Sequence, residues 1–378
     1  MTQKCLFSLS LALVLMVPAK LSATQWHQSK NDLSVSLASQ FSYNLYYQDS
    51  NPESSLSSAL EMDYDRVALF EGFAIQVPFQ LRQKTYFSES SLNHFDYKFT
   101  PALNLFLSEQ SDLTFKANAQ QAQKIKGEKN AEFLPEIADY VEEKDHSAAL
   151  SLRLGRAPEK QYLNLEIATN HYQQEFEALA LSKTESKIVS ARYGHKISED
   201  SYALADGTYK DEKRNDLTSS LVELGFGLYT RLGGSHQFNI VVGYFERSGD
   251  ASSDGYYWML SDKWRISEDV ELSLLSEQHS EISLSQKSLT QLTTENDISL
   301  RYQLNSEHYL NLSLSQINQN FDQSNDFHKR LVAAFDWQWR PYDGFNVDTS
   351  LALERVDTSL LDKQVNQQSA QVALEYLW

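Results

Sequence analysis

Cysteine is almost missing from this sequence of 378 residues. The single cysteine, Cys5, stands near the amino terminus, before an apolar run. A disulfide framework, a cysteine metal site and a cysteine nucleophile are therefore excluded from the rest of the chain. Because Cys5 precedes the apolar run, it is also not the acylated cysteine of a lipoprotein.

Long apolar runs are missing as well. The run from Leu6 to Val17 follows Lys4 and ends at Pro18. Its roughly 12 residues are too few for the ~20 that a membrane-spanning helix needs. A basic residue, a short apolar segment and then Leu21-Ser22-Ala23 are typical of a secretory signal peptide. We predict cleavage after Ala23, which makes residues 1–23 the signal peptide and residues 24–378 one mature domain.

Positive charge is scarce in the predicted mature chain. The whole sequence has 33 Lys+Arg and 51 Asp+Glu, and removal of Lys4 and Lys20 leaves 31 basic residues against 51 acidic ones. Phosphate binding needs a basic face, so we predict no nucleic-acid partner. The mean hydropathy of -0.48 fits a soluble protein or a β-barrel equally well, and the periodicity must decide between them.

Apolar and polar residues alternate with a period of two along nearly the whole chain. Leu33, Val35 and Leu37 fall on one face of an extended segment, and Ser34 and Ser36 fall on the other. This alternation is typical of a transmembrane barrel, in which one face of each strand meets lipid and the other meets a wet lumen. Similar segments recur at 73–82, 148–154, 222–228, 238–244, 298–304, 310–315, 331–340, 345–351 and 372–378.

The connections between these segments predict the topology. Short turns at 109–111, 156–160, 232–235, 305–308 and 341–344 alternate with longer polar connections at 48–54, 124–145, 197–216, 247–255, 317–327 and 357–366. Short periplasmic turns and longer outer loops are typical of outer-membrane barrels. We therefore predict an all-β fold, a transmembrane antiparallel up-and-down β-barrel of about 16–18 strands in a Gram-negative outer membrane. We count 18 strands, and 16 stays open as the alternative because the stretch from His171 to Lys210 has little pattern.

Aromatic residues gather where the predicted strands end. Tyrosine and tryptophan favour the membrane interface, where a ring can be half in lipid and half hydrated. We therefore predict girdle positions, although strands are rich in aromatic residues in any case. The groups are Tyr43, Tyr46 and Tyr47; Tyr256, Tyr257 and Trp258; and Trp337 and Trp339.

The carboxyl-terminal segment resembles the signal by which barrel-assembly machinery recognises its clients. Gln371, Tyr376 and Trp378 match its polar, aromatic and terminal aromatic positions, whereas Ala373 stands where glycine is usual and phenylalanine is commonest at the end. The chain from about residue 30 to 378 resembles the β-barrel porins of bacterial envelopes in strand period, loops and terminal aromatic residue. Some proteins of that group accompany exopolysaccharide or capsule export, so the resemblance also implies a possible polysaccharide partner.

No motif predicts chemistry. None of the nine histidines is spaced as a helical metal pair, no Gly-x-Ser-x-Gly elbow is present, and we interpret the histidines as hydrated loop residues. The Glu61–Asp63 pair could bind Ca²⁺ or act in acid–base chemistry, but no third ligand is visible and a solvated lumen surface explains it equally well. The acidic segment 132–143 is a short helix, an inward-folded constriction or an outer loop, and we favour the loop. We predict no enzyme activity, no metal and no cofactor.

The function predicted from these features is a passive outer-membrane channel for small hydrophilic solutes, with net acidity favouring cations or neutral sugars over anions. Three alternatives stay open: export of exopolysaccharide or capsule, an enzyme acting on envelope lipid, and a structural or adhesive barrel. The predicted pore-lining residues are Gln80, Arg82, Arg153, Glu223, Arg301, Asp336, Asp348 and Glu375.

Overall fold

A computed structural model describes residues 28–45, 53–126, 140–155, 160–176, 182–233, 235–250, 252–283, 290–322, 326–359 and 363–378. The predicted signal peptide, Tyr46 and Tyr47 lie outside the described residues, as does most of the acidic segment, 132–139. Within the described ranges, no helix has the length and hydropathy to span a bilayer.

Within the described residues, nineteen extended segments follow one another, and all their pairings are antiparallel. A short 3-10 helix, Ser90–Leu92, precedes the fourth segment. The segments are β1 (Gln28–Tyr43), β2 (Ser55–Phe70), β3 (Phe73–Tyr86), β4 (His94–Phe99), β5 (Ala102–Ser108), β6 (Ser111–Ile125), β7 (Tyr140–Leu154), β8 (Gln161–Phe176), β9 (Ser182–Ser198), β10 (Ser201–Arg214), β11 (Leu217–Leu232), β12 (His236–Gly249), β13 (Ser253–Arg265), β14 (Val270–Ile282), β15 (Thr290–Gln303), β16 (His308–Phe321), β17 (Phe327–Tyr342), β18 (Phe345–Thr358) and β19 (Lys363–Leu377).

Segments β4 and β5 are two halves of one strand. Both pair with β3 on one side and with β6 on the other, and the register continues unchanged across Thr100 and Pro101. Proline has no backbone N–H to give to a ladder, so Pro101 interrupts the strand without ending it. The fold is thus an 18-stranded barrel, which confirms the predicted fold class and the favoured strand number.

The sheet closes on itself. The first strand pairs with β2 and also with β19, from Ser34 opposite Leu377 to Tyr43 opposite Gln368. Closure leaves no sheet edge, and lipid could not satisfy the backbone groups of an open edge.

Alternation along each strand separates an outer face from an inner face. On β9, for example, Val189 and Tyr193 are exposed on the outside. Lys187, Glu185 and Lys183 continue the same face towards the loops. The apolar part of the outer surface is therefore a belt that occupies only the half of this strand nearer the short turns.

The strands are longer than a bilayer requires. The strand β9 has 17 residues, whereas about 9–11 tilted residues cross a membrane. The outer face of β16 changes in the same way, from Leu310, Leu312 and Leu314 near the turn to Gln316 and Asn318 near the loop. The loop-side halves of these strands thus form a hydrated collar that projects beyond the apolar belt.

Several connections predicted as long loops are in part strands of this collar. The prediction of a loop at Ile197–Asp216 was wrong, because that range holds the short turn at 199–200 and the whole of β10. The prediction at Arg247–Gly255 was wrong in part, since β12 runs to Gly249 and β13 begins at Ser253. The outer face of the collar lies beyond the apolar belt and meets water, so a polar composition there does not indicate a loop.

Aromatic residues lie at both limits of the apolar belt. Tyr209, Tyr244 and Tyr256 are exposed on its loop side. Tyr257 was predicted as an interface residue together with Tyr256 and Trp258, but the alternation turns it to the inner face, where it covers Gly243. The exposed aromatic residues on the turn side are Trp264, Tyr302, Trp339, Tyr342, Tyr376 and Trp378.

Candidate functional site: the lumen of the barrel

The inner face follows directly from the register. Where Leu300 opposes Leu312 on the outside of β15 and β16, the next residues, Arg301 and Asn311, oppose each other on the inside. Charged side chains can face inwards because the lumen of a barrel this wide holds water. Any solute that passes through the barrel must therefore meet these inner side chains.

All eight predicted pore-lining residues occupy inner-face positions of the register. Gln80 donates to the Glu61 carboxylate at 2.6 Å, and Arg153 Nε donates to Asp112 Oδ2 at 2.9 Å. Arg82 Nε lies 4.0 Å from Glu61 Oε2. These positions show which way the residues face, and their part in conduction stays a prediction.

Three of the eight are brought together on one side of the lumen. Asp348 interacts electrostatically with Asp336 on β17 and Glu375 on β19, and Glu375 in turn interacts with Glu61 on β2. Arg340 is the basic neighbour of Asp348. We name Asp336, Asp348, Glu375 and Glu61 the acidic arc. Arg153, Glu223 and Arg301 lie on other parts of the wall.

The acidic arc continues towards the turns on β1 and β2. Asp63 lies next to Glu61 on the inner face, and Asp32 is directly opposite Asp65. Like charges in directly opposed positions are normally unfavourable in a sheet. Among the described residues, no group of three or more His, Cys, Asp or Glu side chains is arranged to hold a metal ion. The arc is therefore an electrostatic feature of the wall, and Asp63 extends it beside Glu61.

The loop-side part of the lumen contains a buried arginine that sequence reasoning missed. The side chain of Arg247 on β12 is fully buried, and its Nη1 donates to Glu212 Oε2 at 2.6 Å and to Ser219 Oγ at 3.1 Å. Its Nε and Nη2 donate to the side chain and the carbonyl of Ser280, at 3.2 and 3.0 Å. A buried arginine with these partners fixes three strands, β10, β11 and β14, relative to one another.

These contacts show that the hairpin of β14 and β15 bends inwards. The pairing of β13 with β14 stops at Trp258 opposite Gln278, although β13 begins at Ser253 and β14 reaches Ile282. Beyond that point Ser280 lies against the inward-facing Arg247 instead of continuing beside β13. The buried Ser283, Thr290 and Thr293 belong to the same hairpin. The lumen is therefore narrowed on this side, near its loop end.

The histidines depart from their predicted environment, because all eight that the structure describes lie on strands. His328 was interpreted as a hydrated loop residue, but it lies on β17 with only 1% of its surface exposed. That prediction was wrong because the strand extends into the collar, where the inner face is covered.

The inner wall from β8 to β13 carries an apolar patch. Tyr202, Leu204 and Val241 are buried there, and Tyr162, Tyr229, Tyr257 and Met259 pack against them. An inner wall is expected to be polar, so this apolar patch needs an explanation. The sequence shows Gly225 and Gly227 on the same face as Glu223. It does not show that tyrosines from four different strands meet beside them.

The residues of the predicted assembly signal lie on the last strand, which closes the barrel, except for Trp378, which directly follows it. Gln371 and Ala373 face inwards and oppose Gln40 and Ala38 of β1. Tyr376 and Trp378 stack edge to face, with ring centroids 4.5 Å apart, and the Trp378 N–H donates to the Leu33 carbonyl at 2.9 Å. Recognition by assembly machinery stays a prediction.

A closed antiparallel barrel with an apolar outer belt and a charged interior is an integral β-barrel of the bacterial outer membrane. The sequence matches no protein-family model and no curated protein. Solved structures with the same fold include the outer membrane protein opdK from Pseudomonas aeruginosa, with 9% identity, 92% of this chain and 99% of that chain covered, and a TM-score of 0.52. The siderophore receptor PirA from Acinetobacter baumannii is also similar, with 7% identity, 93% and 81% covered, and a TM-score of 0.52.

Proposed function

We propose that the barrel is a hydrated channel for small hydrophilic solutes, selective for cations and neutral sugars over anions. The acidic arc carries this proposal, because carboxylates on the wall raise the local concentration of cations and repel anions. The protein is not an enzyme in this proposal.

Planar-bilayer recording of the refolded protein tests the proposal. We expect ohmic single-channel steps and, in a KCl gradient, a reversal potential that favours K⁺ over Cl⁻. Folded protein, verified by heat-modifiable gel mobility, that gives no conductance would contradict the channel. A preference for Cl⁻ would contradict the role of the acidic arc.

A matched pair of variants on β18 locates the selectivity. Asp348→Asn removes one carboxylate of the acidic arc, and we expect the K⁺ preference to fall while conductance persists. Asp357→Asn makes the same chemical change on the outer face of the same strand, and we expect selectivity to be unchanged. Equal effects of the two substitutions would show that net charge, and not the arc, sets the selectivity.

Export and assembly complete the proposal. We infer that residues 1–23 direct secretion, and that the segment from Gln371 to Trp378 is recognised by barrel-assembly machinery. The contact of Trp378 with β1 supports this role, because the residue lies where the sheet closes.

A further inference from the structure

The apolar patch on the wall of β8 to β13 contains two tyrosine rings that lie flat. A Cβ built on Gly194 would overlap three atoms of the Tyr162 ring, and one built on Gly243 would overlap the ring of Tyr257. The hydroxyl end of Tyr257 reaches on to Gly225 in the same way. Each ring therefore covers an inner-facing glycine and lies against the wall instead of projecting from it.

None of Gly194, Gly225 and Gly243 has a positive φ, so the backbone conformation does not require glycine at these positions. At Gly194 and Gly225 the atoms nearest to an added Cβ belong to the tyrosines, whereas at Gly243 the Leu224 carbonyl oxygen is as close as the Tyr257 ring. Their role is to leave room for a ring on the wall. Since one ring face lies on the glycine and both tyrosines remain partly exposed, the opposite face of each ring is turned towards the lumen.

A polar pair lies between the two rings. Arg192 Nε donates to both carboxylate oxygens of Asp206, at 3.1 and 2.9 Å, and Nη2 donates at 2.6 Å. Arg192 interacts electrostatically with both Tyr162 and Tyr257. The pair is partly exposed, with 36% and 18% of the two side-chain surfaces accessible, and Arg192 Nη1 is not used in it. We name Tyr162, Tyr257, Arg192 and Asp206 the tyrosine platform.

We propose that the tyrosine platform is a binding site for the pyranose rings of neutral saccharides that pass through the lumen. A pyranose has an apolar face of C–H bonds that stacks on an aromatic ring, and a rim of hydroxyls that donate to carboxylates and accept from guanidinium. The platform offers both, as small-molecule sites do with apolar walls and a few placed polar groups. This inference rests on the proposed channel function and names its substrate class.

The charges of the platform select against other ligands. Aromatic rings also bind organic cations, but Arg192 is close to both rings and repels a cation there. An organic anion would meet Asp206 and Glu223, which interact electrostatically with Tyr257. A neutral ligand with many hydroxyls avoids both penalties.

Current block in planar bilayers measures the binding directly. Glucose, maltose and maltotriose are added to the wild-type channel, with choline as the organic cation and sorbitol as an open-chain polyol that has no pyranose ring. We expect concentration-dependent block that strengthens from glucose to maltotriose, with little block by sorbitol or choline. A conducting channel that none of the three sugars blocks would overturn the inference and leave the channel intact, as would block by choline alone.

Variants separate stacking from general changes of the pore. In Tyr162→Ala/Tyr257→Ala we expect the half-blocking concentration of maltotriose to rise about tenfold or more, which corresponds to about 1.4 kcal/mol. In Gly194→Ala the new Cβ lifts the Tyr162 ring off the wall. We expect this variant to bind maltotriose more weakly than the wild type, although it keeps both tyrosines. The control Tyr309→Ala removes a lumen tyrosine of β16 that stacks on Arg301 and Arg340, and we expect no change.

Titration calorimetry of the detergent-folded protein with maltotriose gives a readout that does not need conductance. Heat of binding that disappears in the Tyr162→Ala/Tyr257→Ala variant supports the site even if the channel proposal fails. Tyr257→Phe keeps the ring and should keep most of the binding. No heat of binding in folded wild-type protein, or equal binding in the double variant and Tyr309→Ala, would refute the site.

Discussion

Replacing Arg247 by methionine should destabilise the barrel and open its loop end. The Arg247 side chain is fully buried and that of Glu212 is 5% exposed, with 2.6 Å between Nη1 and Oε2. Removing one partner of a buried ion pair typically costs about 3–5 kcal/mol, because the other charge is left uncompensated. Lys210 also contacts Glu212, at 2.5 Å, and keeps part of the compensation. We therefore expect a loss near the lower limit, about 3 kcal/mol.

Two assays measure this effect. Urea titration followed by heat-modifiable gel mobility measures the ratio of folded to unfolded protein. This ratio should fall by about two powers of ten, because a loss of about 3 kcal/mol is roughly twice the 1.4 kcal/mol that corresponds to a factor of ten. Single-channel conductance should rise, because Arg247 ties the inward-bent β14–β15 hairpin to β12 through Ser280.

The double variant Glu212→Gln/Arg247→Met is the control. It removes both charges, and such replacements cost far less than breaking the pair. We expect stability close to wild type but conductance as high as in the single variant, since the link to Ser280 is lost in both. If Arg247→Met leaves stability and conductance unchanged, the pair neither stabilises the barrel nor holds the hairpin.

Three further predictions follow from the outer wall, the carboxyl end and one loop. Leu312→Arg places a charge in the apolar belt and should lower the free energy of unfolding, measured by urea titration, by about 2–4 kcal/mol. Gln316→Arg lies on the same face of β16 but in the collar, and it should lower the free energy of unfolding only slightly. Equal losses in the two variants would contradict the division between belt and collar. Trp378→Ala should lower the amount of folded barrel in the outer membrane more than Tyr342→Ala, which removes another exposed aromatic residue of the turn end; equal yields would argue against an assembly role. Hydrogen bonds from the N–H and hydroxyl of Thr218, at 2.9 and 3.1 Å, lower the pKa of Asp250 from its ordinary value. A carboxylate whose pKa is lower in the folded state than in the unfolded state stabilises the fold at a pH above its unfolded-state pKa, and this stabilisation is lost as the pH falls through its folded-state pKa. Protection of the Thr218 amide against hydrogen exchange should therefore persist at neutral pH and fall in acid. Asp250→Asn should remove that pH dependence.

The faces of the barrel wall could be predicted because a period of two assigns each residue to lipid or to lumen. This rule placed Arg153, Glu223 and Arg301 on the inner face from sequence alone. The same rule would also have turned Tyr257 inwards, between Tyr256 and Trp258, had it been applied to that aromatic run.

The collar and the contacts between distant strands could not be predicted. On β10 the outer residues near the turn are Ala203, Ala205 and Gly207, which are too small to produce a clear alternation, and the strand was therefore taken for part of a loop. The bend that brings Ser280 to Arg247 depends on where β13 and β14 separate. No local pattern encodes that position, so the narrowing of the lumen needs the three-dimensional structure.

The collar also determines where solutes first meet this protein. Its strands remain hydrogen-bonded well beyond the apolar belt, as in β15 and β16, which pair up to Gln291 and Phe321. The mouth is thus formed by hydrogen-bonded strands that rise above the lipid headgroups. Molecules that approach from outside must travel along a stiff, charged tube before they reach the depth of the membrane.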